Sequence, residues 1–541
     1  MGHISGSNSV TRILRAPLHC FLLAAYFPLW LLSANLELFA PWNADRAVLL
    51  NLALAGSALL LFRPILRDWR RAGLAASLVV VLLFALVPFD AGMAFYGAVA
   101  ASPGWQAIAA ATLAVTAAAG ACILLRLRAV AAPATLVLNA ISAVMLVLPA
   151  ATVASSRLDA TARAAEDEHL TLQAALPADA EAGTYPSIFH IVLDGYARAD
   201  VLAGLYGFDN RQFIAELRRL GFFVAEGATS PYSQTLLAMN AVFSAEYVGA
   251  AAANHTEPST LRRVLADRLS NSPVQRTLQR LGYRSVAVET DYYPARLRSA
   301  ELVETGADAA LPNLFERILY ERTPLMGWHE RLFGEAEPAN SVALRRALDP
   351  LRLELGPGPV FFYNHLIAPH PPFAIDRDGA ARQGENRGLS DGSHLTGADA
   401  AARERYRTGY VEKLLYANGR LPGYLRHLIA TVPGDKIIIV HGDHGGGMWL
   451  DHESAARSCL WERMSPLLAV YASDGRLQRA MTDEFNLVNL YRLVFNTYFG
   501  TELPLLASRS YFSPWSAVAS LQQILPAEEI ASCPPSAQSA P

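Results

Sequence analysis

The stretch His441 to Gly447 reads HGDHGGG and closes an apolar run, KIIIVH, that starts at Lys436. An acid and an imidazole adjacent at a strand end, Asp443 and His444, can both reach one metal ion when the glycines that follow let the backbone turn tightly. A second apolar run, SIFHIVL from Ser187 to Leu193, ends in Asp194 and Gly195. An Asp-Gly turn after a strand is common, but a carboxylate from that end would complete a mixed oxygen and nitrogen set suited to zinc or manganese. Such a centre needs an activated water or a protein nucleophile beside it. Thr235 is the candidate nucleophile, because in SPYSQTLLAMNAVFS (Ser230–Ser244) a polar loop runs into an apolar helical pattern. That places its hydroxyl near a helix amino terminus, where backbone N–H groups and the helix dipole favour an alkoxide and a phosphoryl anion. In the absence of the metal motifs, Thr235 or Ser233 would read as a helix cap. A third strand end, NHLIAPHPPF (Asn364–Phe373), contributes His365 and His370, and His452 follows the glycine turn.

These strand ends need a sheet to bring them together. Buried-strand candidates are 187–193, 285–289 (SVAVE), 360–364 (VFFYN), 436–441 and 467–472 (LLAVYA), with helical stretches between them, notably 211–220 and 403–428. Strands alternating with helices predict an α/β domain whose mostly parallel sheet is covered on both faces, with ligands gathered outside the carboxyl ends of the strands.

The 541-residue chain is 52% hydrophobic and 17% charged, with a net charge of −3 and a mean hydropathy of +0.22. That is too apolar for a soluble protein of this size and too mixed for a pure transporter. The near-neutral balance excludes the basic stripe expected of a nucleic-acid binder, so no nucleic-acid partner is expected. Five apolar stretches are long enough to cross a bilayer, at 18–39, 46–62, 74–90, 105–125 and 130–153. Arg12 and Arg15, then Arg63, Arg67, Arg70 and Arg71, then Arg126 and Arg128 all fall on one side of these spans, which places the amino end in the cytoplasm and the rest of the chain outside. The expected organisation is a cytoplasmic amino-terminal segment (1–17), a five-span transmembrane domain (18–154), a juxtamembrane linker helix (155–184) and an extracytoplasmic catalytic domain (185–541). Four cysteines form no CxxC pair; Cys20 and Cys122 lie in apolar runs, and Cys459 and Cys533 can pair in an oxidising compartment.

Taken together, these residues and this layout resemble the alkaline phosphatase and sulfatase superfamily, in particular its membrane-bound branch of lipoteichoic acid synthases and phosphoethanolamine transferases. Thr235 precedes Phe243 and Ser244 at the spacing seen around the threonine nucleophile of those transferases. The resemblance implies that Asp194, Thr235, Asp443 and His444 ligate one divalent metal (zinc or manganese, with magnesium as an alternative) and that Thr235 is transiently phosphorylated. It also implies that His370 binds substrate, with His365 and His452 as further substrate-binding candidates. The chain departs from those families in carrying Asp194 where they usually place a glutamate, in lacking their cysteine-rich pattern, and in lacking a sulfatase signature around Thr235. The implied activity is transfer of a phospholipid-derived head-group phosphate, of phosphoglycerol or phosphoethanolamine type, to a glycan or lipid of the cell envelope. The donor is a phospholipid of the bilayer, and the location is the bacterial inner membrane with the catalytic domain in the periplasm. Two other functions fit the same residues: an anchored phosphomonoesterase or phosphodiesterase, and a non-catalytic envelope sensor or scaffold.

Overall fold

The computed structural model describes residues 15–84 except 37, 128–162, 176, 185–288 and 533, and the chain from 290 to 524 outside 291, 304–312, 321–322, 324–330, 333–336, 350–357, 383–394 and 396–398. The chain divides into two compact units, a helical one of residues 1–163 with 311–336, and an α/β one holding the remainder.

Among the described residues, the long helices of the first unit are His19–Ser33, Asp45–Leu66, Trp69–Phe84 and Ala131–Ala162. Two of them, Asp45–Leu66 and the Ala131–Leu158 stretch, are long and apolar enough to cross a membrane. The first apolar run, expected over 18–39, makes a helix of only 15 residues, or about 22 Å against the ~30 Å of a hydrocarbon core. Its end is polar: the Ser33 hydroxyl donates to the Trp30 carbonyl and the Asn35 amide to the Leu31 carbonyl at 2.7 Å. The second run is longer than expected and ends at Arg67 in the left-handed region. The expected span at 105–125, the last residues of the third, Cys122 and nearly all of the linker after Ala162 lie outside the described residues. A short helix with no counterpart in the sequence reading, Leu314–Tyr320, packs into this same unit. Arg46 pairs with the buried Glu316 through two nitrogens, at 2.5 and 2.6 Å, and the Tyr320 hydroxyl donates to Asn51 Oδ1.

The α/β unit is organised by strands β1 (Ser187–Leu193), β2 (Phe223–Val224), β3 (Gly227–Thr229), β4 (Arg284–Val288), β5 (Glu301–Val303), β6 (Val360–Leu366), β7 (Lys436–His441) and β8 (Leu468–Ala472). All but β3 join one seven-stranded sheet in the order β2-β8-β7-β1-β6-β4-β5. The five strands from β7 to β5 are mutually parallel, whereas β8 runs antiparallel to β7 and to β2, so the sheet is mixed at one edge. Period-2 alternation sends the side chains of β1 to two cores. Ile188 and Val192 join one with Ile437, Ile439, Phe361 and the helix Thr235–Ser244, and Phe189, Ile191 and Leu193 join the other with Ile438, Val440, Phe362 and the helix Ala400–Thr431. Both faces being covered explains why β1, β6 and β7 are buried along their whole length and read as apolar runs rather than alternating ones. Cys459 and Cys533 form a disulfide across 74 residues.

Candidate metal centre

Register places the chemistry. Val192 lies opposite His365 of β6 on one side and opposite His441 of β7 on the other, so the carboxyl ends of three neighbouring parallel strands open at the same level. Asp194 follows β1 directly, and Asp443 and His444 follow β7. Their potential ligand atoms all lie within 4.8 Å of one another, and all three residues are buried. Thr235 is the first residue of the helix Thr235–Ser244, and its Oγ1 is 3.0 Å from His444 Nε2. No side chain caps that helix; Ser233 instead accepts the Ser513 N–H, so the capping reading of either hydroxyl is not what the structure adopts.

Hydrogen bonding fixes the protonation of His444. Its Nδ1 lies 2.9 Å from the Gly445 carbonyl, which can only accept, so Nδ1 carries the proton and Nε2 presents a lone pair. Burial, with the Arg463 charge beside it, holds the ring well below the usual histidine range and therefore neutral. That lone pair lies 3.1 Å from Asp443 Oδ2 and 3.9 Å from Asp194 Oδ1. Both of those carboxylate oxygens are buried and have no hydrogen-bond partner among the described residues. Two orphaned carboxylate oxygens facing an imidazole lone pair repel one another unless a cation sits among them. The donor set therefore fits a divalent metal ion.

The other oxygen of each carboxylate is tied down. The Gly195 N–H donates to Asp443 Oδ1 at 3.0 Å, and His365 Nε2 donates to Asp194 Oδ2 at the same distance. His365 is held in that tautomer by the Tyr363 hydroxyl, which donates to its Nδ1 at 2.9 Å. His365 is thus a supporting group behind Asp194, the arrangement that usually orients a metal ligand. Burial raises the Asp194 pKa, but His370, the bond from His365 and His444 outweigh it and hold the carboxyl below its usual range. Burial and the neighbouring Asp194 charge push Asp443 up.

His370 lies close by, its ring centre 6.1 Å from that of His444. Its backbone N–H donates to the Asp194 carbonyl at 3.0 Å, and its Nδ1 donates to the Pro371 carbonyl at 2.6 Å, so Nδ1 is the committed ring nitrogen. The loop that presents it contains two cis-prolyl bonds and is clasped by the buried Lys413, whose ammonium donates to the carbonyls of His370 and Pro372. The His452 ring packs edge-on to Trp515.

Close approach, more than a positive φ, explains the glycines of the HGDHGGG turn. A Cβ on Gly445 would stand 1.9 Å from the Glu462 carbonyl oxygen, and one on Gly446 would stand 2.1 Å from the Tyr206 hydroxyl. Glu462 and Arg463, absent from the sequence reading, are what the turn packs against. The Glu462 carboxylate accepts the N–H groups of Met448 and Trp449 and the hydroxyl of Tyr206. Arg463 donates from Nε to the Ser233 carbonyl at 2.7 Å and from Nη2 to His444 Nε2 at 3.0 Å. Their stretch, CLWERMSP, contains no motif that marks them from sequence.

No family model matches this sequence, and no curated protein matches it. Among solved structures it is similar to the zinc complex of the C-terminal periplasmic domain of EcEptC from Escherichia coli, at 10% identity over 64% of this chain and 96% of that one, with a TM-score of 0.39. It is similar also to the integral membrane lipooligosaccharide phosphoethanolamine transferase A from Neisseria meningitidis, at 14% identity over 87% and 95%, with a TM-score of 0.37. It is similar also to a phosphonate monoester hydrolase from Silicibacter pomeroyi, at 13% identity over 59% of this chain and 74% of that one, with a TM-score of 0.37. Identities this low say nothing of substrate, which must be read from the side chains.

Proposed function

We propose that the α/β unit transfers a phospholipid-derived head-group phosphate to a glycan or lipid acceptor of the cell envelope through a covalent intermediate on Thr235. The observation that supports it best is the 3.0 Å approach of Thr235 Oγ1 to His444 Nε2, at the uncapped amino end of a buried helix and beside two orphaned carboxylate oxygens. Asp194, Asp443 and His444, with Thr235, would hold the metal. When bound, the metal supplies Lewis acidity that lowers the pKa of a hydroxyl and offsets charge on phosphoryl oxygens.

The chain's own residues do the rest. Thr235 loses its hydroxyl proton to solvent, and its Oγ1 forms a bond to phosphorus as the bond from phosphorus to the diacylglycerol oxygen breaks. His370 acts in its imidazolium form: Nε2 gives a proton to that departing oxygen while Nδ1 keeps its proton on the Pro371 carbonyl, and Lys413 holds the loop. The N–H groups of the first turn of the Thr235 helix, which no side chain occupies, stabilise negative charge on the phosphoryl group. The acceptor hydroxyl then gives its proton to His370 Nε2 and displaces Thr235, whose oxygen takes a proton back from solvent, and two inversions leave phosphorus with retained configuration.

The same reading takes the helical unit as a five-span anchor in the bacterial inner membrane, amino end cytoplasmic, that keeps the α/β unit at the periplasmic surface and at a high effective concentration of lipid. The two helices long enough to cross support a membrane anchor, and the one-sided arginine clusters of the sequence support its orientation. Mass spectrometry of Thr235 after incubation with labelled phospholipid checks the intermediate, because the added mass names the head group. Thr235→Ala is expected to abolish both the adduct and transfer; full transfer by that variant would overturn the reading. Release of free head-group phosphate with no envelope product would assign water as the acceptor.

A further inference from the structure

Arg463 has features that the phospho-threonine chemistry above leaves unused. Its side chain is buried at 6% exposure, yet no carboxylate pairs with it among the described residues. Its sequence neighbour Glu462 spends its carboxylate on Met448, Trp449 and Tyr206. The guanidinium bonds only to neutral acceptors: the Ser233 carbonyl, the Gly445 and Gly446 carbonyls at 3.5 and 3.4 Å, and His444 Nε2. A buried cation without a counter-ion is expensive to keep, and its cost is offset when an anion binds beside it.

The position of that cation is informative. Nη2 and Thr235 Oγ1 both lie 3.0 Å from one nitrogen, His444 Nε2. That nitrogen is also the one the metal would take, since Nδ1 is committed to Gly445. A ligated Nε2 has no lone pair left for Arg463, so Nη2 loses its acceptor while the rest of the guanidinium stays anchored on Ser233, two residues before the nucleophile. A planar donor freed beside a nucleophilic hydroxyl is well suited to a phosphoryl oxygen.

We propose that Arg463 is the phosphate-binding cation of this site, resting on His444 in the metal-free protein and turning to the phosphoryl oxygens once the metal occupies Nε2. The proposal rests on the phosphoryl-transfer reading and adds to it the group that recognises the transferred anion. It also gives the metal a second effect, that of releasing the anion-binding donor, so that phosphate binding depends on prior metal binding.

Titration calorimetry on the full chain in detergent micelles tests this, with manganese as the first titrant and orthophosphate as the second. In the wild type, orthophosphate is expected to bind the manganese-loaded protein and to bind the metal-free protein at least about tenfold more weakly. For Arg463→Gln, manganese affinity is expected to hold or rise, because a competing donor and a positive charge have been removed, while orthophosphate affinity falls by at least about tenfold. Arg463→Lys keeps the charge without the planar fork and is expected to fall between the two in orthophosphate affinity at unchanged manganese affinity; it serves also if the glutamine variant does not fold. Orthophosphate affinity within about twofold of wild type in both variants would overturn the proposal. So would a joint loss of manganese binding and thermal stability, which is the signature of a purely structural arginine. Transfer retained by Thr235→Ala would sink the covalent intermediate and leave these titrations unaffected, so the two ideas fail separately.

Discussion

His441 and His444 are three residues apart, both fully buried, and both donate from Nδ1 to a backbone carbonyl one residue ahead, at 2.7 and 2.9 Å. Each therefore presents an Nε2 lone pair. The lone pair of His441 is met by a proton: His190 Nε2 lies 2.8 Å away and donates, and His190 Nδ1 in turn accepts from the Tyr491 hydroxyl at 2.9 Å. Tyrosine, histidine, histidine and carbonyl form a closed chain in which every donor has an acceptor. The lone pair of His444 is met by Arg463 Nη2 and the Thr235 hydroxyl, each at 3.0 Å, and also faces two carboxylate oxygens that have no partner of their own among the described residues. One imidazole completes the core, and the other completes a cation site. Burial cannot separate them, since it lowers both pKa values, that of His441 to about 4. What separates them is what else surrounds the lone pair: a closed neutral chain at His441, and two unpartnered carboxylate oxygens at His444.

Substitution can test that contrast directly. Asp443→Asn or His444→Gln is expected to weaken manganese or zinc binding by more than about 100-fold, measured by calorimetry, whereas His441→Gln should leave metal affinity nearly unchanged. Equal losses at the two histidines would erase the distinction. His365→Gln removes the group that orients Asp194 without removing a ligand, and a loss of about 10- to 100-fold in metal affinity is expected. On the other side of the comparison, His441→Gln breaks a closed buried chain and should cost about 2–4 kcal/mol of stability in denaturant titration. Tyr491→Phe removes only the outermost donor of that chain and should cost about 1 kcal/mol, with no change in metal binding. A large effect of Tyr491→Phe on metal affinity would mean that the two histidine systems communicate.

Much of this centre could be read from the residues before any fold was available. The ends of β1 and β7 are visible because a strand buried on both faces is a continuous apolar run, and a polar residue that ends it stands out. Asp194, Asp443 and His444 are therefore legible, and Thr235 is legible from the break between polar loop and apolar helix. His365 was a candidate, but its place behind Asp194 was hidden because β6 continues two residues further than its apolar part suggests, through Asn364 and His365 to Leu366. Arg463 and Glu462 are invisible, since their roles arise from packing against a turn 13 to 19 residues earlier in the chain. The antiparallel direction of β8 was equally hidden, because an apolar run has the same composition in either direction.

The bond from the Gly195 N–H to Asp443 Oδ1 spans 248 residues of chain. Loop-closure entropy makes such a contact among the last to form, and β7 must already lie beside β1 before it can. Both carboxylates meet once β7 lies beside β1, so ion uptake is expected to follow the pairing of those two strands. Whatever binds there holds the native state alone, adding about 2.7 kcal/mol at a free concentration 100 times its dissociation constant. Chelation would then act on this protein as a destabilising agent as well as an inhibitor, and its melting temperature would report the metal supply of the compartment in which it works.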